Sequence, residues 1–387
     1  MNIFKDERIV LTLDAGGTNF VFSALKGGDE IVAPIVLPSN CDDLEKSLKT
    51  IIEGFEHVIE NLLPQKPVAI SFAFPGPADY QRGIIGDLIN LPCFRGGVAL
   101  GPMLQNIFGL PTYINNDGDL FTYGEAIAGM LPQLNEDLQK HGIEKEYKNL
   151  FGITLGTGYG GGIVVNRRIF EGDNSAAGEI WLMRDFKNTE LLVEESVSIR
   201  AVQRVYKELS ESDHTLSPQE IYNISIGKLE GNKEAALRAF EQMALMIGES
   251  LANAITLIDG PIVVGGGISG ASQLIIPGIV NHLNGFIQNL KGDKIPRLVS
   301  KVYSMEDEQS YGEFLNWESH IVKVPFSDQE IAYHPEKKLV IGLSKLGTSK
   351  AVCLGCYAYA LAMMDDKEQG QEEPAEPGKV LKLNNQL

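Results

Sequence analysis

The sequence has few cysteines, a deficit of basic residues and no long apolar run. Four cysteines in 387 residues suggest no disulfide framework, and the N-terminus lacks the basic-then-apolar shape of a signal peptide, so we expect a reducing, cytoplasmic location. No stretch approaches the ~18–20 apolar residues of a membrane span, so we expect no membrane association. Lysine and arginine total 33 against 51 aspartate and glutamate residues. The net charge of −18 argues against general binding to nucleic acid or to a membrane surface.

Two of the cysteines, Cys353 and Cys356, have the spacing of a CxxC motif. The alanine-rich segment around them is typical of a helix, and no second cysteine or histidine pair lies near it in the sequence. We therefore favour packing over a metal or redox role for this pair.

Apolar residues make up 44% of the chain, and its length predicts two domains. Hydrophobic periodicity predicts strands at about 8–14, 20–25, 30–36, 67–73, 112–115, 150–154, 161–165 and 262–264. It predicts helices at 42–63, 120–129, most of 190–256 and 346–364. The polar stretch at 130–148 is predicted to be a surface connection, and the chain after Asp365 a disordered tail.

The most informative motif is Asp14–Asn19 (DAGGTN), which lies between two predicted strands. Glycines here let backbone N–H groups approach an anion closely, because glycine has no Cβ. The carboxylate of Asp14 can hold a divalent cation through water. These parts suit a nucleoside triphosphate with Mg²⁺, although for the hexapeptide alone a plain β-hairpin turn is an equal alternative.

Two further glycine segments follow. Leu155–Gly162 contains five glycines and Thr157, which indicates a loop built for backbone approach and a second phosphate contact. Ile262–Ser269 runs from a strand into Gly265–Gly267, and such a turn can pass an adenine or ribose without side-chain clash. An ordinary strand-to-helix turn fits the last segment as well.

The pair Asn116–Asp117 ends a predicted strand and precedes a helix. The Asp117 carboxylate can accept the proton of an attacking hydroxyl, which is the role of the base in phosphoryl transfer. Taken locally, a helix N-cap is the stronger alternative. The hairpin with a glycine turn occurs twice, near Asp14 and near Thr154, which predicts two α/β domains with a cleft between them.

The order of these parts resembles the superfamily of sugar kinases and actin. Five further segments resemble the ROK family (repressors, open reading frames and kinases): Phe74–Asp79, Asn90–Pro92, Asn116–Asp117, Gly178–Glu179 and Leu192–Ser198. The resemblance runs from about residue 8 to 364. It implies an α/β fold of the two-domain actin-like ATPase type, with duplicated ribonuclease H-like domains and an interdomain cleft. The expected division is an N-terminal domain at 1–128 completed by helix 346–364, a connection at 129–149, a C-terminal domain at 150–345 and an acidic tail at 365–387.

The resemblance also implies residue roles. Asp117 would be the general base. The sugar-binding residues would be Asn90, Asn116, Glu179 and Glu194, since amides and carboxylates pair with vicinal hydroxyls. The nucleotide-binding residues would be Asp14, Gly16, Gly17, Thr18, Asn19, Gly156, Thr157, Gly158, Gly265, Gly266 and Gly267, with Mg²⁺ held near Asp14 through water.

The chain departs from the family pattern after Glu179. Family members usually have glycine and a sugar-contacting histidine where this chain has Trp181 and Leu182. We expect Trp181 to pack in the core, with stacking on a sugar face as the alternative. Many members also bind zinc through cysteines, but none lies between Cys93 and Cys353 here, so we expect no zinc site.

The resemblance therefore implies ATP-dependent phosphorylation of a hexose, glucose or a relative, at a primary hydroxyl. The alternative is a catalytically silent or regulatory sugar-binding protein. Family repressors carry a helix-turn-helix segment first, whereas here the first predicted strand begins near residue 8, so we expect no DNA binding. The family also implies a homo-oligomer, either a dimer or a tetramer.

Overall fold

A computed structural model describes residues 2–76, 78–86, 92–211, 213–368 and 370. The chain divides into two compact units. The first contains the described residues of 1–72, 76–114 and 357–387, and the second contains 73–75 and 115–356.

The secondary structure is mixed α/β. The strands are β1 (Val10–Ala15), β2 (Asn19–Lys26), β3 (Asp29–Glu30), β4 (Ile35–Pro38), β5 (Ala69–Ala73), β6 (Ala78–Asp79), β7 (Ile84–Ile85), β8 (Thr112–Asn115), β9 (Leu150–Leu155), β10 (Tyr159–Val165), β11 (Arg168–Ile169), β12 (Ile262–Gly265), β13 (Phe286–Gln288), β14 (Lys294–Pro296), β15 (Lys301–Ser304), β16 (His320–Lys323), β17 (Glu330–Tyr333) and β18 (Lys338–Leu343). The α-helices are α1 (Leu44–Leu62), α2 (Leu100–Phe108), α3 (Asp117–Ala128), α4 (Met130–Lys140), α5 (Ile199–Ser210), α6 (Pro218–Ser225), α7 (Lys233–Ile258), α8 (Ser272–Leu283), α9 (Glu308–Leu315) and α10 (Thr348–Glu368).

The first unit is built on a sheet in the order β3-β2-β1-β5-β8, with β4 paired to β2. Helix α1 covers this sheet because its apolar residues recur at helical spacing, and the side chain of Asp43 caps its start. The rings of Phe55 on α1 and Phe22 on β2 pack edge to face, with their centroids 5.2 Å apart. A Cβ on Gly54 would lie 2.3 Å from that ring, so the glycine lets helix and sheet approach closely.

The second unit repeats the arrangement with a sheet in the order β11-β10-β9-β12-β18-β15. An antiparallel hairpin, β9 with β10, is followed along the sheet by β12, which pairs in parallel with both β9 and β18. The predicted fold class, a duplicated α/β fold of the actin-like ATPase type, is confirmed. Strands β13 and β14 form one separate two-stranded sheet among the described residues, and β16 and β17 form another. All residues of these four strands are exposed.

The expected domain boundaries differ from the observed units at three places. The division falls after Ile114 rather than at residue 128, because α3 packs against β9 and β10. The predicted connection at 129–149 contains the helix α4, which buries Met130, Leu131, Leu134 and Leu138 on one face. Helix α10 continues to Glu368 rather than 364, and its residues are divided between the units at Cys356 and Tyr357.

Among the described helices, none combines the length and the apolar character needed to cross a membrane.

Candidate active site

Two glycine loops lie at one edge of the sheet in the second unit. Strands β9 and β12 run in parallel, with Thr154 opposite Gly265. The loops Gly156–Gly158 and Gly265–Gly267 therefore follow the carboxyl ends of neighbouring strands. Ligands of parallel α/β sheets bind beyond such strand ends.

The loop Gly156–Gly158 is hydrogen-bonded to the start of α5 through its carbonyl groups, and the Cα of Gly156 faces open space. Its Gly156 carbonyl accepts the backbone N–H of Ile199 at 2.9 Å, and its Thr157 carbonyl accepts from Arg200 at 3.3 Å. A Cβ on Gly156 would meet nothing within 4 Å. Space on this side of the backbone is what a phosphate contact requires.

The next three glycines, Gly160–Gly162, allow close packing within the protein, whereas the sequence had suggested open backbone for a ligand. A Cβ on Gly161 would lie 2.5 Å from the Gly178 carbonyl, and one on Gly162 would lie 2.3 Å from the Gly118 carbonyl. A Cβ on Gly160 would meet the Thr154 hydroxyl at 2.4 Å. These three glycines therefore make room for other parts of the same protein to pack on β10. They are not open to a ligand on that side.

Gly266 has a left-handed backbone, with φ of 88°, and a Cβ there would lie 2.3 Å from the carbonyl of Leu155. Its N–H donates to the hydroxyl of Thr348 at 2.8 Å. A Cβ on Gly267 would meet nothing within 4 Å, so this residue offers open backbone. The segment thus crosses over β9 tightly and then opens at Gly267.

The remaining glycine loop, Asp14–Asn19, belongs to the first unit and joins β1 to β2. Asp14, Gly17, Thr18 and Asn19 are exposed. A Cβ on Gly16 would lie 2.8 Å from the Asn19 carbonyl, which requires glycine at that position. The exposed carboxylate at the strand end and the small residues after it fit the predicted water-mediated Mg²⁺ contact.

Asp117 is the first residue of α3, and the N-cap is its neighbour. The side-chain oxygen of Asn116 accepts the N–H of Gly118 at 2.8 Å, and that of Asn115 accepts the N–H of Asn116 at 2.7 Å. Because Asn116 caps the helix, Asp117 is not needed for that purpose and its side chain is exposed. The local alternative, Asp117 as the N-cap, is wrong.

A second aspartate of α3 lies buried behind Asp117. Asp119 is 6% exposed, and burial, followed by the negative charge of Glu171, raises the pKa of its carboxyl well above the ordinary value. The Glu171 carboxylate itself accepts from the buried Asn115 amide at 2.8 Å. Sequence analysis missed both acids; the only local sign of Asp119 was its position two residues after Asp117.

Trp181 contacts Glu179, one of the predicted sugar ligands. Its indole N–H donates to Oε2 of the Glu179 carboxylate, and the tryptophan side chain is half-buried. Leu182, in the position where family members usually have histidine, is 58% exposed. The indole therefore does something that neither stacking nor core packing had suggested, which is to orient Glu179.

Glu194 lies against the second glycine loop. One carboxylate oxygen accepts the backbone N–H of Tyr159 at 3.0 Å, and the other faces Arg200 at 3.3 Å. A Cβ on Gly158 would lie 2.5 Å from this carboxylate, so Gly158 makes room for it. The remaining predicted sugar ligand, Asn90, lies outside the described residues.

Comparison with known proteins identifies the family. The family model described as "ROK family" matches residues 10–309 of this chain. The chain belongs to the ROK family.

Named ROK relatives and a solved structure support this assignment. The crystal structure of a glucokinase from Parabacteroides distasonis is 50% identical, with a TM-score of 0.86, and the alignment covers 94% of this chain and 99% of that one. An N-acetyl-D-glucosamine kinase from Vibrio cholerae is 30% identical over 44% of this chain, and the match spans about half, 51%, of that relative's length. A glucokinase from Halalkalibacterium halodurans is 25% identical over 72% of this chain and 86% of its own length.

Proposed function

We propose that the protein is a sugar kinase that transfers the γ-phosphoryl group of ATP to a primary hydroxyl of glucose or a related hexose. The single observation that carries the proposal is the start of α3, where Asn116 caps the helix and leaves the Asp117 carboxylate exposed. The two glycine loops of the same unit offer open backbone at Gly156 and Gly267. Kinase names among the ROK relatives support the same reaction class.

In the proposed reaction, Asp117 accepts the proton of the sugar hydroxyl. The hydroxyl oxygen then bonds to the γ-phosphorus while the bond from that phosphorus to the β,γ-bridging oxygen breaks, and ADP leaves. Backbone N–H groups of the loops Gly156–Gly158 and Gly265–Gly267 would stabilise the phosphate charges, and positioning supplies much of the rate. In the first unit Asp14 would hold Mg²⁺ through water, and the ion would offset the negative charge of the phosphates.

Sugar recognition would rest on Asn90, Asn116, Glu179 and Glu194. Carboxylates and amides read vicinal hydroxyls through paired hydrogen bonds. The relatives include both glucokinases and an N-acetyl-D-glucosamine kinase, so the panel to test is glucose, N-acetylglucosamine, mannose and fructose. A cytoplasmic location and a dimeric or tetrameric assembly remain predictions of the sequence.

The first test is Asp117→Asn, which keeps the size of the side chain and removes the base. We expect kcat to fall by about 10²–10⁴-fold, because general-base catalysis contributes that much, while sugar affinity changes little. ADP release in a coupled assay measures turnover, and calorimetric titration measures sugar binding. Asp29→Asn, an exposed aspartate on β3 outside the motifs, is the matched control. Turnover retained in Asp117→Asn would contradict the base assignment.

The same assay separates the second candidate function. The absence of the family histidine at Leu182 favours a silent sugar-binding protein. Such a protein would bind a hexose with equal affinity in the wild type and in Asp117→Asn and would release no ADP in either.

A further inference from the structure

The carboxyl group of Asp119 is enclosed on α3, behind the proposed base. The residue is 6% exposed, and within the described part of the chain its Oδ1 atom has no hydrogen-bond partner. The backbone N–H of Ile163 on β10 is directed at the carboxyl group and opposes the rise in its pKa. Asp119 thus lies beside β10 with a buried oxygen that lacks a donor among the described residues.

In the described part of the chain, the charges that act most strongly on the Asp119 carboxyl belong to acids. Glu171 and Glu179 face it from the segment between β11 and α5, and Asp117 faces it from its own helix. Strands β9 and β10, which pack on α3, carry no lysine, arginine, aspartate or glutamate, and β11 contributes the exposed Arg168.

The other two helices in contact with α3 place their charges elsewhere. The ionisable residues of α4 lie in its last turns, where Lys140 pairs with Glu136 at 2.8 Å. Helix α10 contacts α3 at two places: a Cβ on Gly124 would lie 1.9 Å from the Ala351 carbonyl, and a Cβ on Gly355 would lie 1.9 Å from the Leu120 carbonyl. The charged residue of α10 closest in sequence to these contacts, Lys350, is exposed.

An ionised Asp119 would be costly at this position. Its Oδ1 would be a desolvated anionic oxygen without a donor, next to further negative charges. Protonation turns the same oxygen into an O–H donor and removes the repulsion. Burial and the charge of Glu171 both raise the pKa of this carboxyl, which agrees with the geometry.

We propose that Asp119 is a positioning residue held as the neutral carboxylic acid, which fills the space between the start of α3 and β10 without placing another negative charge beside Asp117. The functional half of this proposal rests on the proposed role of Asp117. A fourth negative charge would add to the repulsion around Asp117, and a base must be ionised to accept the sugar proton. A neutral Asp119 adds no negative charge to a group that already contains Asp117, Glu171 and Glu179.

The protonation state can be read without any substrate. In protein labelled with ¹³C at the aspartate carboxyls, Asp119→Asn identifies the resonance that belongs to Asp119. We expect this resonance to stay at the position of a protonated acid at pH values above 3.8, where an exposed aspartate has ionised. A resonance at the ionised position across that range would overturn the proposal.

Stability gives a second readout with a defined sign. The unfolded Asp119 ionises above its ordinary pKa of 3.8, whereas the folded residue keeps its proton to a higher pH, so the wild type loses stability as the pH rises through that window. The folding constant of Asp119→Asn relative to wild type should therefore grow by up to about tenfold per pH unit above that value. A ratio that does not change with pH would contradict the neutral acid.

Kinetics test the positioning role. Asp119→Leu removes the polar atoms that face the Ile163 N–H, and we expect kcat to fall by up to about 10²-fold with little change in KM. Asp119→Asn keeps a polar side chain of the same size without charge, and we expect it to rescue kcat and to retain the acid limb of the pH profile. Equal losses in both variants would show that negative charge is needed and would refute the proposal. If the wild type phosphorylates no sugar, the proposed function fails, while the resonance and the folding ratio still decide the state of Asp119.

Discussion

At the residue scale, Trp181 occupies the position where ROK members usually have glycine. Its indole N–H donates to Glu179, so the side chain can serve as a fixed donor that sets the direction of a predicted sugar ligand. An oriented carboxylate forms paired hydrogen bonds with vicinal hydroxyls at a smaller entropic cost than a mobile one. The neighbouring Leu182 points away from this role, since it is 58% exposed.

Two substitutions separate the hydrogen bond from ring stacking. Trp181→Phe keeps an aromatic ring but lacks the N–H, and Trp181→Leu lacks both. We expect each to raise KM for the sugar by about 10–150-fold, since a hydrogen bond to a charged group contributes ~1.5–3 kcal/mol, with a smaller change in kcat. Steady-state kinetics over the hexose panel measure this effect, and Leu182→Ala is the matched control.

Normal sugar affinity in Trp181→Phe, together with weak binding in Trp181→Leu, would favour stacking instead. Normal affinity in both would show that the indole serves only packing.

At the scale of the elements, α3 is fixed at both ends. Asn115 and Asn116 hold its start, and the fully buried Glu125 holds its end. The Glu125 carboxylate accepts from the N–H of Met130 and from the segment after β18, through the Ser344 hydroxyl and the backbone of residues 345 and 346. That segment leads to Thr348, whose hydroxyl accepts from the third glycine segment at Gly266. Through these contacts the helix of the proposed base is connected to the proposed nucleotide loop.

The glycines of the second loop predict two different mutant phenotypes. Gly162→Ala would place a Cβ 2.3 Å from the Gly118 carbonyl and 2.5 Å from the Thr122 hydroxyl, and backbone cannot move cheaply. We expect a loss of ~1–3 kcal/mol in the free energy of unfolding, as overpacking usually costs, and a lower kcat as α3 shifts. Gly156→Ala meets nothing within 4 Å, so we expect normal stability but a raised KM for ATP. Urea unfolding and steady-state kinetics measure both variants. A destabilised Gly156→Ala together with a stable Gly162→Ala that has a raised KM for ATP would contradict both assignments.

Sequence patterns predicted those parts of the fold that depend on local order. The hairpin of β1 and β2, the helix α1 and the strand β12 follow from periodicity and glycine positions within a few residues. Helix α4 was missed because its four buried residues lie within a strongly charged stretch. That Gly161 and Gly162 pack against Gly178 and Gly118 depends on residues distant in sequence, which no local pattern shows.

The same limit applies to the candidate site. The motifs predicted Asp117 and the loops, because base and phosphate chemistry require those residue types. The burial of Asp119 and the contact of Trp181 with Glu179 depend on how the segment from Glu171 to Leu182 folds back onto β10. An aspartate near a helix start is usually exposed, so its type and position gave no sign of burial.

At the scale of the whole molecule, the proposed ligands are divided between the two units. The described candidates for sugar binding, Asn116, Glu179 and Glu194, all belong to the second unit, whereas the nucleotide candidates belong to both, with Asp14–Asn19 in the first. A ligand stabilises the unit that it binds in its folded form. Sugar and nucleotide should therefore affect thermal unfolding differently.

Calorimetric scans of Asp117→Asn allow both ligands to be present without turnover. At a hexose concentration 100 times its Kd, we expect a stabilisation of about 2.7 kcal/mol, expressed mainly in the transition of the second unit, which holds three of the four proposed sugar ligands. A non-hydrolysable ATP analogue with Mg²⁺ should shift the transitions of both units, and Asp14→Asn should weaken the shift of the first. Galactitol, an open-chain polyol, is the control that should shift neither. A sugar that the wild type phosphorylates but that moves only the first unit's transition would contradict the assignment of the sugar ligands, because a bound ligand must raise the stability of the residues that hold it.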